Sequence, residues 1–158
     1  MGFKYELQEN VSDSLDKAGT IIAGAANKAL REIGKTYVPA LKAETPKVTG
    51  KLKNSSIFQL VGGNSSQAVE VRQGARTSSG DFYGKFVRNG TKPHEIRPIN
   101  KGGVLVFKIG GKTIFAKKVN HPGNKPNPYH EKAYAKVSGR IDEIIASTGQ
   151  KIATDLMG

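Results

Sequence analysis

The feature that most constrains the fold is a stripe of apolar residues that repeats every three or four positions from residue 11 to residue 43. This spacing places apolar side chains on one face of an α-helix, so it predicts a long N-terminal helix over 11–43. Gly19, Gly24 and Gly34 interrupt the stripe, and their lack of a side chain would let a neighbouring segment of backbone approach the helix closely. Pro39 lacks an amide donor and is expected to kink or end the helix.

Residues 128–157 show the same spacing and predict a second, C-terminal helix. Pro128 suits the first helical position, where its missing amide costs nothing. Gly139 and Gly149 are poor helix formers and are expected to weaken this helix and break it into two.

Residues 54–119 change period and contain short β-branched or aromatic segments bounded by Gly, Asn and Ser, which is typical of strands. Gly110 and Gly111 form a hairpin signal between the last two segments. The segment 82–87 suits either a strand or a short helix. We therefore predict an α+β fold in one domain, 1–158, with both helices packed on one face of an antiparallel β-sheet with long loops. The five short segments predicted as strands are 57–61, 68–72, 82–87, 104–109 and 113–119.

Composition excludes several classes of protein. The 158 residues include no cysteine, which excludes disulfide scaffolds and thiolate metal sites. The longest apolar stretch, residues 21–26, is far shorter than the roughly 20 residues of a membrane-spanning helix. The first residues lack the apolar core of a signal peptide, so we expect a chain that is made and kept in a cytosol.

The sequence holds no recognisable catalytic constellation. His94, His121 and His130 lack metal-ligand spacing on a single element. Lys112 and Thr113 follow a glycine as in a phosphate-binding loop, but Val106 occupies the position of the required first glycine. We expect no enzyme activity, no metal site and no cofactor.

The net charge of +12 is confined to the middle of the chain. Residues 45–126 hold fifteen basic and only three acidic side chains, whereas the segments on either side are each neutral. One interpretation is that the lysines keep a β-rich region soluble and protect its strand edges. The other is that the segment faces a polyanion, and sequence-nonspecific nucleic-acid binding is then the alternative function.

Three stretches in this order resemble the tail-completion, or head–tail joining, family of minor tail components of long-tailed bacteriophages. Residues 45–55, TPKVTGKLKNS, resemble the family's Pro-x-x-Thr-Gly-x-Leu-x-x-Ser junction between the first helix and the first strand. Residues 83–91, YGKFVRNGT, are similar to its Tyr-Ala-x-x-Val-Glu-x-Gly-Thr segment. Residues 119–129, VNHPGNKPNPY, are similar to its His-Pro-Gly-x-x-Pro-x-Pro-Phe approach to the final helix. Arg88 stands where the family usually has glutamate, so an ion pair made there in relatives would be reversed or lost.

The resemblance implies a structural virion protein without catalytic residues, which acts in tail completion and head–tail joining at the head-proximal end of the tail. It implies a closed ring, of six copies to match the tail tube, with head-completion or connector proteins and tail terminator or tube proteins as partners. Packaged DNA would pass close by, and no membrane is involved. The protein would lie at the head–tail junction of the virion, and in the host cytoplasm during assembly.

Two sets of residues follow as candidates. The loops 74–81 and 94–103 are polar and glycine-rich, and we expect them to supply assembly faces that become ordered on assembly. The second set comprises turn positions that determine the fold through local geometry rather than chemistry. The assembly or polyanion-contact candidates are Arg72, Arg76, Lys85, Arg88, Lys92, Arg97 and Lys101, and the turn positions are Thr49, Gly50, Gly90, Thr91, Pro122, Gly123 and Pro128.

Overall fold

The computed structural model describes residues 2–47, 50–63 and 66–158, with side chains described from residue 11 onward. Contacts divide the chain into two compact units, Met1–Ala75 with Tyr129–Gly158, and Arg76–Pro128. The described helices are α1 Gly2–Glu44, α2 Lys51–Asn54, α3 Tyr83–Asn89 and α4 Tyr129–Met157. The described strands are β1 Ser56–Gly63, β2 Ser66–Gln73, β3 His94–Ile96, β4 Leu105–Ile109, β5 Lys112–Ala116 and β6 Val119–His121. The predicted α+β class is confirmed.

Helix α1 follows the predicted stripe but continues past Pro39 to Glu44. Pro39 therefore does not end the helix, and the predicted range 11–43 already extended past it. Val38 and Leu41, on either side of the proline, are both buried, and their burial holds the helical path across the missing hydrogen bond. The chain leaves the helix at Thr45, whose amide still donates to the carbonyl of Leu41 at 2.9 Å.

Helix α4 is continuous through Gly139 and Gly149, so neither glycine breaks it and the predicted single range 128–157 holds. Its buried face, which includes Ala133, Ile141 and Ile144, packs against α1 and outweighs the low helix propensity of the two glycines. Glu32 pairs with Arg140 at 3.1 Å and Glu44 pairs with Lys136, so the two helices run antiparallel.

Strands β1 and β2 form an antiparallel hairpin that packs against α1. The close approach expected at the helix glycines occurs at Gly34, where the ring of Phe58 lies against the helix backbone. A Cβ atom on Gly34 would stand only 2.4 Å from Cδ2 of Phe58. At Gly19 and Gly24 no heavy atom lies within 4 Å of such a Cβ, so those two positions contact no neighbouring chain.

The second unit, Arg76–Pro128, contains α3 and two further antiparallel pairs, β3 with β6 and β4 with β5. The predicted single sheet is thus divided among three two-stranded sheets in the described residues, because no strand acquires a second neighbour. Of the two interpretations of 82–87, the helical one is correct. The expected loop 94–103 begins with strand β3, a three-residue strand between Pro93 and Pro98 that is too short to show a period.

The β4–β5 hairpin turns at Gly110 and Gly111, as predicted. Their φ angles are +54° and +80°, and the ladder closes on the pair Ile109 and Lys112. Positive φ at both central residues matches the twist of the flanking strands and is freely available only to glycine. The predicted strand 113–119 is interrupted at residues 117 and 118, and its last residue begins β6.

Candidate assembly surface

Arg72 belongs to the first unit, on strand β2. Its guanidinium lies 2.7 Å from the carboxylate of Glu70, and about half of the arginine side chain is exposed. The hydrogen bond from Arg72 lowers the pKa of the Glu70 carboxyl, and the same contact raises the pKa of Arg72. A nearby carboxylate thus reduces the net charge that Arg72 presents to a partner.

Arg76 opens the second unit and organises the loop that follows it. Its guanidinium stacks 4.0 Å from the ring centre of Phe82 and donates to the carbonyl of Gly80 at 2.6 Å. Within the loop, the amide of Thr77 donates to the carbonyl of Asp81 at 2.9 Å. The loop 74–81, expected to become ordered on assembly, is therefore already closed by its own hydrogen bonds in the isolated chain.

Lys85, Arg88 and Lys92 lie on α3 and just after it, and all three are exposed. Lys85 and Lys92 line an open cavity of about 850 Å³ that lies wholly within the second unit. Tyr83 and Phe86 contribute aromatic wall to the same cavity. The two lysines therefore place positive charge beside an apolar recess.

Arg97 and Lys101 lie in the segment after β3. Arg97 and Lys118 both pair with Glu95, Lys118 at 3.1 Å. The hydrogen bonds from Arg97 and Lys118 hold the pKa of the Glu95 carboxyl below its ordinary value. Lys101 is exposed in a turn closed by the Gly103 amide, which donates to the carbonyl of Asn100 at 3.0 Å.

Of the seven predicted basic residues, Lys85 and Lys92 line the same cavity of the second unit. Arg72 belongs to a different compact unit from the other six, and Arg76 and Arg97 are engaged with their own neighbours. Charge composition located the basic segment but not this division of its residues.

Two of the three resembling stretches interlock. Thr91 and Asn124 form an isolated antiparallel bridge in which the Thr91 amide donates to the Asn124 carbonyl at 2.9 Å, and the Asn124 amide donates back at 3.1 Å. The Thr91 hydroxyl also accepts from the Asn124 amide at 3.0 Å. Gly90 and Gly123 flank this bridge with φ of +71° and +80°. A Cβ on Gly123 would stand 2.1 Å from the Thr91 carbonyl oxygen, so these two glycines permit the contact.

Gly50, Pro122 and Pro128, the other turn positions that the structure describes, lie at the ends of elements or in turns. Gly50 adopts φ +73° immediately before α2, and the carbonyl of Gly50 accepts from the Asn54 amide at 2.9 Å. Thr49 lies outside the described residues. Pro122 lies between His121 and Gly123 in a turn where the Gly123 amide donates to His121 Nδ1 at 3.0 Å. Pro128 directly precedes the first residue of α4.

A polar cluster around Gln73 was not predicted from the sequence. The Gln73 side-chain amide donates to Ser56 Oγ at 2.9 Å and to Thr45 Oγ1 at 3.2 Å, while the Tyr129 hydroxyl donates to Gln73 Oε1 at 2.6 Å. Thr45, Ser56 and Tyr129 are almost fully buried. The cluster joins the end of α1, the start of β1, the end of β2 and the start of α4. The sequence contains one indication of this cluster: Thr45 begins the first stretch that resembles the phage family, and Tyr129 ends the third.

His94 and His121 lie opposite each other on the paired strands β3 and β6. The rings of His94 and His121 lie 5.1 Å apart, and His94 Nδ1 is 2.8 Å from the carbonyl of Lys92. In the part of the chain with described side chains, no three metal-ligating side chains are close enough to hold a metal ion. The helices described for this chain include none with a long apolar window of the kind that crosses a bilayer.

Comparison of the sequence with models of protein families identifies a family of phage tail components. A family model described as "Bacteriophage HK97-gp10, putative tail-component" matches residues 9–90, just over half of the chain. The chain belongs to this HK97-gp10-like family of tail components. The matched range runs from within α1 to just past the end of α3. It contains the first resembling stretch and all but the last residue of the second, and the third lies beyond it. Comparison with curated proteins and with solved structures gives no significant match.

Proposed function

We propose that this phage tail component acts in tail completion and head–tail joining, as a closed ring at the head-proximal end of the tail. The observation that carries the proposal is membership of the tail-component family over residues 9–90. The resemblance of residues 119–129 to the same class of proteins extends that relationship to the start of α4. The protein is then a part of the virion, and in the host cytoplasm only while particles are assembled.

The geometry supports a role in assembly rather than catalysis. The turn positions of the resembling stretches hold backbone in place, as the bridge between Thr91 and Asn124 does. A closed ring needs two different, complementary faces on each subunit. Lys85 and Lys92, beside the apolar recess of the second unit, form the basic contact that we assign to an acidic connector or tube surface.

Particles made without this protein test the proposal most directly. We expect electron microscopy to show full heads and separate tails that fail to join. Heads without any tails in the lysate would contradict a completion role, because they would indicate an earlier function in tail assembly.

A charge-reversal pair tests the basic contact. Lys85→Glu with Lys92→Glu is expected to reduce infectious particles at least tenfold while the purified protein keeps its circular dichroism spectrum. The matched control is Lys28→Glu with Lys132→Glu, which makes the same change of charge at exposed positions of α1 and α4. Normal particle yield from the first pair would exclude this contact.

The competing function is sequence-nonspecific binding of nucleic acid by the basic middle segment. It is favoured by the composition of residues 45–126, which hold fifteen basic and three acidic residues. Such binding weakens steeply as salt rises, because bound phosphates release counterions. A fluorescence titration with duplex DNA at two salt concentrations separates the two functions. Binding at low salt that falls steeply at higher salt would support the competing function, and no binding at low salt would eliminate it.

A further inference from the structure

The β4–β5 hairpin carries an exposed apolar pair, Val106 and Phe115, on a face that it shares with Lys108 and Thr113. Val106 and Phe115 are directly opposite each other in the ladder, so their side chains share one face, and they are 59% and 67% exposed. In the described residues the hairpin has no third strand. A two-stranded hairpin is at best marginally stable in water without a covering element. Packing of another structural element on this face would therefore stabilise the hairpin.

The N-terminal part of α1 carries a second open apolar surface. Val11, Leu15 and Ile22 follow one another at helical spacing and are 55%, 67% and 44% exposed. The ion pairs of Glu32 with Arg140 and of Glu44 with Lys136 set the register of α1 against α4, and they bring the last residues of α4 to a level between about Leu15 and Ala23. The preceding part of α1 extends beyond its intrachain partner.

The two surfaces carry opposite charge. Residues 11–22 hold two acidic residues and one lysine, whereas residues 104–119 hold four lysines and no acidic residue. Asp13 and Asp16 lie on the side of the helix away from the apolar stripe, so in a docked pair they would face the hairpin lysines across the width of the helix. A helix is about 10 Å wide, which is close to the Debye length of about 10 Å at 0.1 M salt. The attraction would therefore be felt at low salt and would weaken as the salt concentration rises.

The two surfaces also match in length. The twelve residues from Val11 to Ile22 extend about 18 Å at 1.5 Å per helical residue. Each hairpin strand has five residues and extends about 17 Å at roughly 3.3 Å per residue. One helix is therefore long enough to cover one face of the hairpin.

We infer that residues 11–22 of α1 in one copy of this chain dock on the Val106–Phe115 face of the β4–β5 hairpin in the next copy. This contact is heterologous, because a helix face meets a hairpin face, and its repetition generates a closed ring or a filament. The inference rests on the proposed ring and names the surfaces that would build it. Each subunit has one helix stripe and one hairpin face, so in a closed ring every hairpin face is covered by the helix stripe of a neighbouring copy.

Cross-linking of full-length single-cysteine variants tests the contact, since the chain has no natural cysteine. A mixture of Leu15→Cys and Phe115→Cys protein, treated with a short bismaleimide, is expected to give a covalent dimer. The matched control mixture replaces Phe115→Cys with Lys132→Cys, an exposed position on α4, and is expected to give at least tenfold less dimer. Equal yields in the two mixtures would overturn the contact, and a dimer from Leu15→Cys alone would indicate that the helix stripe pairs with itself.

Sedimentation of the purified full chain separates this inference from the proposed ring. Leu15→Asp and Phe115→Asp are each expected to weaken self-association at least tenfold. Ile99→Asp, at a position that is 97% exposed and outside both surfaces, is expected to leave it unchanged. If the unaltered protein assembles and both Leu15→Asp and Phe115→Asp assemble equally well, the docking contact is wrong and the ring stands. If the unaltered protein stays monomeric at every concentration, the ring fails, and the contact fails with it.

Discussion

Thr91 and Asn124 exchange backbone hydrogen bonds of 2.9 and 3.1 Å across 33 residues of sequence. The Asn127 amide adds a second connection, because it lies 3.2 Å from the carbonyls of both Val87 and Arg88 at the end of α3. Together these bonds fasten the segment before α4 to the segment after α3. The second and third resembling stretches are thus one structural feature formed from two parts of the chain.

Gly123→Ala should destabilise the second unit more than Gly111→Ala does. Both glycines have φ of +80°, and a side chain in the left-handed region costs about 1–2 kcal/mol. Only Gly123 adds a steric clash, since its new Cβ would lie 2.1 Å from the Thr91 carbonyl oxygen, whereas nothing lies within 4 Å at Gly111. Hydrogen exchange at the Thr91 and Asn124 amides measures the difference. Equal loss of protection in the two variants would show that the bridge does not depend on this close approach.

Gly34→Ala and Gly24→Ala should change stability in opposite directions, although both lie inside α1. Alanine is favoured over glycine in a helix by about 1 kcal/mol, and at Gly24 nothing opposes that gain. At Gly34 the new methyl group would meet the Phe58 ring at 2.4 Å, so the ring must move and packing is lost. Urea unfolding followed by circular dichroism is the measurement. Adding Phe58→Leu to Gly34→Ala should recover part of the loss, and stabilisation by Gly34→Ala alone would contradict the packing.

Tyr129→Phe should reduce the free energy of unfolding by about 1–3 kcal/mol, because it removes the donor to a polar group at a buried site. The Tyr129 hydroxyl donates to Gln73 Oε1 at 2.6 Å, and the tyrosine is 1% exposed. Tyr134→Phe, at a half-exposed position of the same helix, is the control and should change stability by less than about 0.5 kcal/mol. The two variants are compared by chemical denaturation, and indistinguishable midpoints would argue against the Gln73 cluster as a stabilising element.

The carboxyl of Glu95 should titrate below its ordinary pKa of 4.5, because Arg97 and Lys118 hydrogen-bond to the charged form. A lowered pKa in the folded state means that this stabilisation is present above pH 4.5 and is lost as the pH falls through the lowered value. Carboxyl NMR titration measures the midpoint. Arg97→Ala should raise the midpoint more than Lys118→Ala does, since Arg97 is the larger cause. A Glu95 midpoint at or above 4.5 in the unaltered protein would contradict the ion pairs.

Local periodicity and turn chemistry made much of the fold predictable. The stripe from Val11 to Tyr37 indicated α1, and Gly110–Gly111 indicated the β4–β5 turn, because each signal depends on residues close together in sequence. The sequence left open whether Pro39 kinks or ends the helix, because the outcome depends on the burial of Val38 and Leu41 by what packs against the helix. Strand β3 was missed for a related reason. Its three residues are defined by pairing with β6, a partner more than twenty residues away.

The candidate surface divides in the same way. The amino-acid sequence alone determined the two long helices, the confinement of the charge to residues 45–126, and the three stretches that resemble phage tail proteins. Only the tertiary structure showed that Gly90 and Gly123 serve one bridge, that Gln73 joins four elements, and that Lys85 and Lys92 share a recess while Arg72 belongs to another unit. The physical reason is range: helix periodicity and net charge are properties of the residues themselves, whereas a hydrogen bond across 33 residues exists only after the chain has folded back on itself.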